Sequence, residues 1–202
     1  MNLGNQQKKL VRIIGIVAVV ILIVLGILYA TSLWASRGIP QRFVDARKNA
    51  ALVSSDIVRL ANETNDKIAQ INVLEIKGKK SDALALIQDA RTSNGAAYTK
   101  AFELSQNLKT LAESLGDIHS PGEQRIAYEA IAIELSLVSE FISYTQALNT
   151  FLGNLTTLIL DNTIQNQNIV RTDISAVNEK TSSINNLNSQ FTEKMKTFDS
   201  SF

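Results

Sequence analysis

Five apolar side chains, Val170, Val177, Ile184, Phe191 and Phe198, recur at strict seven-residue spacing, and Phe43, Ala50, Ile57, Thr64 and Ile71 repeat the pattern earlier in the chain. Seven residues make nearly two turns of an α-helix, so each series draws a single stripe along one helical face. Ala46, Val53, Leu60 and Leu74 widen the first stripe, and Ile174, Leu187 and Met195 the second, to the three- and four-residue steps of a helix packed against others. Lys67 breaks the first stripe. With two prolines in 202 residues, Pro40 and Pro121, and helical rather than alternating periodicity between breakers, the chain is expected to be all-α.

The breakers divide the stretch after Pro40 into four helices, at about 41–77, 82–116, 121–160 and 163–199. Gly78 suits the left-handed closing position of the first helix, with Ser81 or Asp82 capping the second. The second helix carries Ile87, Ala90, Ala97, Ala101, Leu104, Leu108, Leu111 and Leu115, with Asn94 inside its apolar stripe. Ser120, Pro121 and Glu123 read as cap, first helical residue and capping box of the third. That helix is the most apolar, with Ile126, Ile131, Leu135, Val138, Phe141, Ile142, Leu148, Leu152, Leu155, Leu158 and Ile159 toward the core. The last turn is placed in Asp161–Asn168, with Gly153-Asn154 as the competing break. Helices of similar length with short connections predict an antiparallel, up-down-up-down four-helix bundle over 43–202.

Ahead of the bundle, Ile13 to Ser36 contains no charged residue. As a helix this run extends roughly 36 Å, enough to cross a ~30 Å hydrocarbon core. A cleaved secretory signal has a shorter apolar run, so the favoured assignment is a retained signal-anchor at 13–36. A basic tail at 1–12 precedes it, and a juxtamembrane hinge at 37–42 follows, where Pro40 disfavours helical geometry at Ile39. The membrane flanks would be Lys8, Lys9 and Arg12 on one side and Tyr29, Trp34 and Arg37 on the other, the two rings suiting the interface. Basic residues on both sides leave orientation to the early position of the anchor, which favours an exported, extracytoplasmic bulk. Phe141 to Leu160 also lacks charge, but Gln146, Asn149 and Asn154 make it costly in lipid, and it is assigned to the bundle.

The chain has no cysteine, which excludes disulfides and thiolate chemistry, and 20 basic against 19 acidic residues leave no electrostatic footprint for nucleic acid. His119 stands alone before the third helix, with Asp117 and Glu123 as its near neighbours in sequence, and lacks the partners that general acid–base chemistry or a metal would require. Glu129, Glu134 and Glu140 lack the Glu-x-x-His partners of a di-iron bundle and read as solvated or salt-bridged. Thr64 and Asn94 form a candidate polar core layer. They either set helix register or line a pocket between helices, and the register role is favoured. Asn62-Glu63-Thr64 and Asn154-Leu155-Thr156 match the glycosylation pattern by chance in so Asn-rich a chain, and Lys77 to Lys80 solvates a turn.

No catalytic, cofactor-binding or metal residue is therefore assigned. The expected protein is a single-pass cell-membrane module without enzymatic activity, a cell-envelope scaffold binding lipid through its anchor and a protein partner, or itself, through helical faces. The alternative is a ligand-sensing extracytoplasmic domain that signals through a partner. Its architecture is similar to the four-helix extracytoplasmic domains of bacterial chemoreceptors, a likeness of outline with no shared motif.

Overall fold

The computed structural model describes residues 40–201. The anchor at 13–36, its flanks Lys8, Lys9, Arg12, Tyr29, Trp34 and Arg37, and the hinge up to Ile39 lie outside the described residues. Four α-helices follow in order: α1 (Gln41–Ile76), α2 (Lys80–Ser114), α3 (Pro121–Leu160) and α4 (Ile164–Asp199), with a 3₁₀ turn, Leu115–Asp117, after α2. No strand occurs among the described residues, and none of their helices is long and apolar enough to cross a membrane, α3 included.

The turns follow local chemistry. At the end of α1, Gly78 takes φ +71°, its amide donating to the Glu75 carbonyl at 2.9 Å and that of Lys79 to Leu74 at 2.9 Å, which is the Schellman closure. This closure leads so directly into α2 that the helix starts at Lys80, ahead of the predicted caps Ser81 and Asp82. Helix α1 itself begins at Gln41, so residues 41 and 42 are helical rather than part of a hinge. Helix α3 begins at Pro121, but no side-chain bond of Ser120 closes a capping box among the described residues. Gln124 instead reaches back, its Nε2 donating to the Leu115 carbonyl at 2.9 Å. Helix α3 runs straight through Gly153, and the break falls at 161–163, where Thr163 Oγ1 accepts the Asn166 amide at 3.2 Å and caps α4.

The chain divides into two compact units, each built from four helical segments. Unit 1 comprises Arg59–Ala97 and Ser143–Thr181 and holds two helical hairpins, α1 with α2 and α3 with α4, each closed by a three-residue turn. Its core includes Ile71, Ile87, Leu148, Leu152, Leu155, Ile159, Val170 and Val177. Unit 2 comprises 40–58, Tyr98–Ile142 and 182–201 and holds the α2–α3 hairpin together with the start of α1 and the end of α4. Phe43 and Phe198 meet in its core with ring centroids 5.6 Å apart, among Leu104, Leu108, Ile131 and Val138.

The stripes of α1, α2 and α4 lie inward, including both seven-residue series in full. Helix α3 departs from its predicted face at one turn. Leu135 is exposed and Glu134 buried, because Ile131, Glu134, Val138 and Phe141 make the inward three- and four-residue sequence.

Candidate functional site

Unit 1 contains a buried polar cluster whose members are satisfied. Asn94 Nδ2 donates to the Thr145 carbonyl at 2.7 Å and ties α2 to α3, while Thr64 Oγ1 donates to the Leu60 carbonyl of its own helix at 2.8 Å. Both predicted residues are buried in this unit, but no bond joins them among the described residues, so they do not form one site. Lys67, which interrupts the α1 stripe, is held at the rim: its Nζ donates to Ser93 Oγ at 2.6 Å and to the Asp89 carbonyl at 3.4 Å. The Tyr144 hydroxyl faces Asn65 Oδ1 at 3.5 Å, and burial pushes its pKa up to about 12. Asn94, Lys67 and Tyr144 each reach a partner on a neighbouring helix, while Thr64 bonds within its own.

Unit 2 differs. Glu134, read from sequence as solvated or salt-bridged, is 6% exposed and has no hydrogen bond or ion pair among the described residues. Burial pushes its carboxyl up to about 7, because an unpaired carboxylate loses its hydration without compensation. It borders a cavity of about 30 Å³ that Arg47 and Ser54 also line, otherwise walled by apolar side chains. The Arg47 guanidinium is engaged with Asp199 near the end of α4, at 3.1 and 3.4 Å. Helical spacing alone could not show this pair, since its members stand 152 residues apart.

The other candidate carboxylates and the histidine are exposed or half-buried. Glu129 accepts from Lys194 Nζ at 2.8 Å, which holds its carboxyl below the usual range, and Glu140 is half-buried. His119, Asp117 and the 77–80 turn are exposed. No group of three or more His, Asp or Glu could hold a metal among the described residues. Neither glycosylation match lies in a loop: Thr64 is buried within α1, and Asn154 Nδ2 donates to Asp173 at 2.8 Å.

The surface of unit 2 carries exposed apolar side chains. Phe102 (58%), Tyr128 (48%), Leu135 (42%) and Tyr98 (41%) are the conspicuous ones on α2 and α3. Arg91 Nε donates to Asn149 Oδ1 at 3.1 Å, which marks the edges by which α2 and α3 face each other. Seven-residue steps from Asn149 lead along α3 to Leu135 and Tyr128, and steps of seven and eleven from Arg91 lead along α2 to Tyr98 and Phe102. All four therefore border one α2–α3 seam. The sequence pattern places Leu135 in the core and carries no signal for the other three.

Comparison with models of protein families, with curated proteins and with solved structures finds no match to this chain.

Proposed function

We propose that this protein is a non-enzymatic helical interaction module, tethered to the cell membrane by the uncharged segment 13–36, with the bundle outside the cytoplasm. The observation that supports it most directly is the α2–α3 seam, where three aromatic residues, Tyr98, Phe102 and Tyr128, and the aliphatic Leu135 leave apolar surface in water. Tyrosine and phenylalanine at such a place bring large contact area at low entropic cost, which is the composition of a protein-binding surface. The tether rests on the length and apolarity of Ile13–Ser36.

A photo-crosslinking residue at Phe102, in the full chain in its native membranes, tests the seam. One reproducible protein adduct, weakened by Tyr98→Ser with Leu135→Ser and missing from a control probe at exposed Ser189, is the expected result. Adducts no more abundant or specific than those from Ser189 would overturn it. Retention in the membrane pellet at alkaline pH, with release on deleting 13–36, tests the tether. Digestion of the bundle by protease added to intact cells tests the orientation. The alternative ligand-sensing reading has the Glu134 cavity to draw on, which has room for one or two waters and not for a metabolite.

A further inference from the structure

Three features of unit 2 are left unused by the interaction reading: a buried carboxyl without a partner, a cavity beside it, and a guanidinium on that cavity held by a different carboxylate. Glu134 on α3 is enclosed on apolar surroundings, and an ionised carboxylate there is the costly species unless a cation or several donors reach it. Among the side chains lining the cavity, those of α2 and α4 are apolar, so Arg47 of α1, paired with Asp199, is the charged group that shares the cavity wall with Glu134, with no bond between the two in the described arrangement. Ser54, also from α1, is the neutral polar group on the same wall.

Arg47 cannot give up its proton, and its planar fork suits one carboxylate at a time in bidentate geometry. It holds Asp199 Oδ1 and Oδ2 at 3.1 and 3.4 Å in the described arrangement. The Asp199 side chain is 29% exposed, so water can take over its solvation if the guanidinium leaves, whereas Glu134, 6% exposed, has at most the small cavity beside it. The cavity gives the guanidinium room to shift. Asp199 closes α4, one residue after the fully buried Phe198 ring that packs on Phe43.

We infer that unit 2 contains a proton-operated latch in which Glu134 and Asp199 compete for Arg47: Asp199 holds the guanidinium while Glu134 is protonated, and Glu134 draws it inward when the proton leaves. Loss of the proton then loosens the last turn of α4 against α1, leaving the Phe43–Phe198 contact to hold it, and binding of the proton restores the ion pair. The raised proton affinity of Glu134 places the exchange near neutrality. The latch stands whether or not the α2–α3 seam binds a partner.

The test uses the full chain in lipid nanodiscs. With glutamate labelled at the carboxyl carbon and arginine at the guanidinium nitrogens, a titration from about pH 5 to about pH 9 reads the Glu134 carboxyl and the Arg47 guanidinium together. The expected result is a common midpoint near neutrality. Amide exchange at residues 195–199, corrected for intrinsic base catalysis, should quicken by about tenfold or more over that range, the scale of one charge-assisted hydrogen bond. Glu134→Gln should leave those amides protected throughout, and Asp199→Asn should leave them fast throughout. A Glu134 midpoint in the ordinary carboxylate range, an Arg47 signal that does not move with it, or amide exchange at 195–199 independent of pH would each overturn the latch. Should Glu134→Gln fail to fold, the wild-type titration decides alone.

Discussion

Units 1 and 2 are both four helical segments around an aliphatic core, yet they differ in their buried titratable side chains, even though unit 1 also leaves one buried hydroxyl, Thr181 Oγ1, without a hydrogen bond. In unit 1, Asn94, Thr64 and Tyr144 each meet a protein partner, at 2.7, 2.8 and 3.5 Å, so their burial costs little, and the Asn94 bond ties α2 to α3. In unit 2, Glu134 meets none, while the nearby cation is engaged elsewhere. A satisfied polar group fastens; an unsatisfied ionisable one makes the unit's stability depend on the proton concentration.

The contrast can be broken by substitution. The largest effect is expected at Phe198→Ala, which removes a fully buried ring from unit 2 and should cost about 3–5 kcal/mol in chemical denaturation. Its counterpart in unit 1, Leu152→Ala, should cost about 2–5 kcal/mol, so a loss confined to one unit would separate their stabilities.

Next comes the pH dependence of Glu134. Its pKa is pushed from an ordinary 4.5 to about 7 by burial. Below 4.5 folded and unfolded chains are both protonated there and the group contributes no difference. Between 4.5 and about 7 the unfolded chain releases the proton that the folded chain keeps, so stability falls as pH rises, and the loss is complete above about 7. The full loss is roughly 3 kcal/mol. Glu134→Gln should recover most of it at mildly alkaline pH and change little in acid, leaving a smaller slope of the same sign from Glu75, whose carboxyl burial also pushes up. Denaturation midpoints that fall in parallel for wild type and Glu134→Gln would show that unit 2 does not carry this linkage.

Asn94→Ala in unit 1 should act with the opposite sign, destabilising by about 1–3 kcal/mol at every pH, because it leaves a buried interior short of a bond instead of relieving one. The smallest effect is at Gly78→Ala. A Cβ there meets no atom within 4 Å, so the expected cost of about 1 kcal/mol comes from the φ of +71° alone. A near-zero change would mean that the α1–α2 turn relaxes without strain.

Much of the fold was legible because it depends on intervals along the chain. Phe43 to Ile71 and Val170 to Phe198 could be assigned to helix faces from spacing, and Gly78 and Pro121 mark an end and a start by their own backbone chemistry. The misreadings occur where intervals underdetermine the outcome. Glu134 and Leu135 are adjacent, and either fits a helical stripe within one residue's rotation of about 100°. Which one faces inward depends on the packing of α3 in unit 2. The Ser120 capping box is a sound local pattern that shows no side-chain bond among the described residues, and the side-chain bond at this turn is the one from Gln124 to the Leu115 carbonyl.

By itself the sequence determined that the described residues are helical, where their helices turn, and that no thiolate chemistry is available to the chain, since those follow from residue type and local spacing. The tertiary structure decided which polar groups are answered, through the Asn94–Thr145 and Arg47–Asp199 meetings and the solitude of Glu134. Those outcomes join residues far apart in the chain, and the free energy of a buried charge is set by what lies within a few ångströms, which no periodicity records.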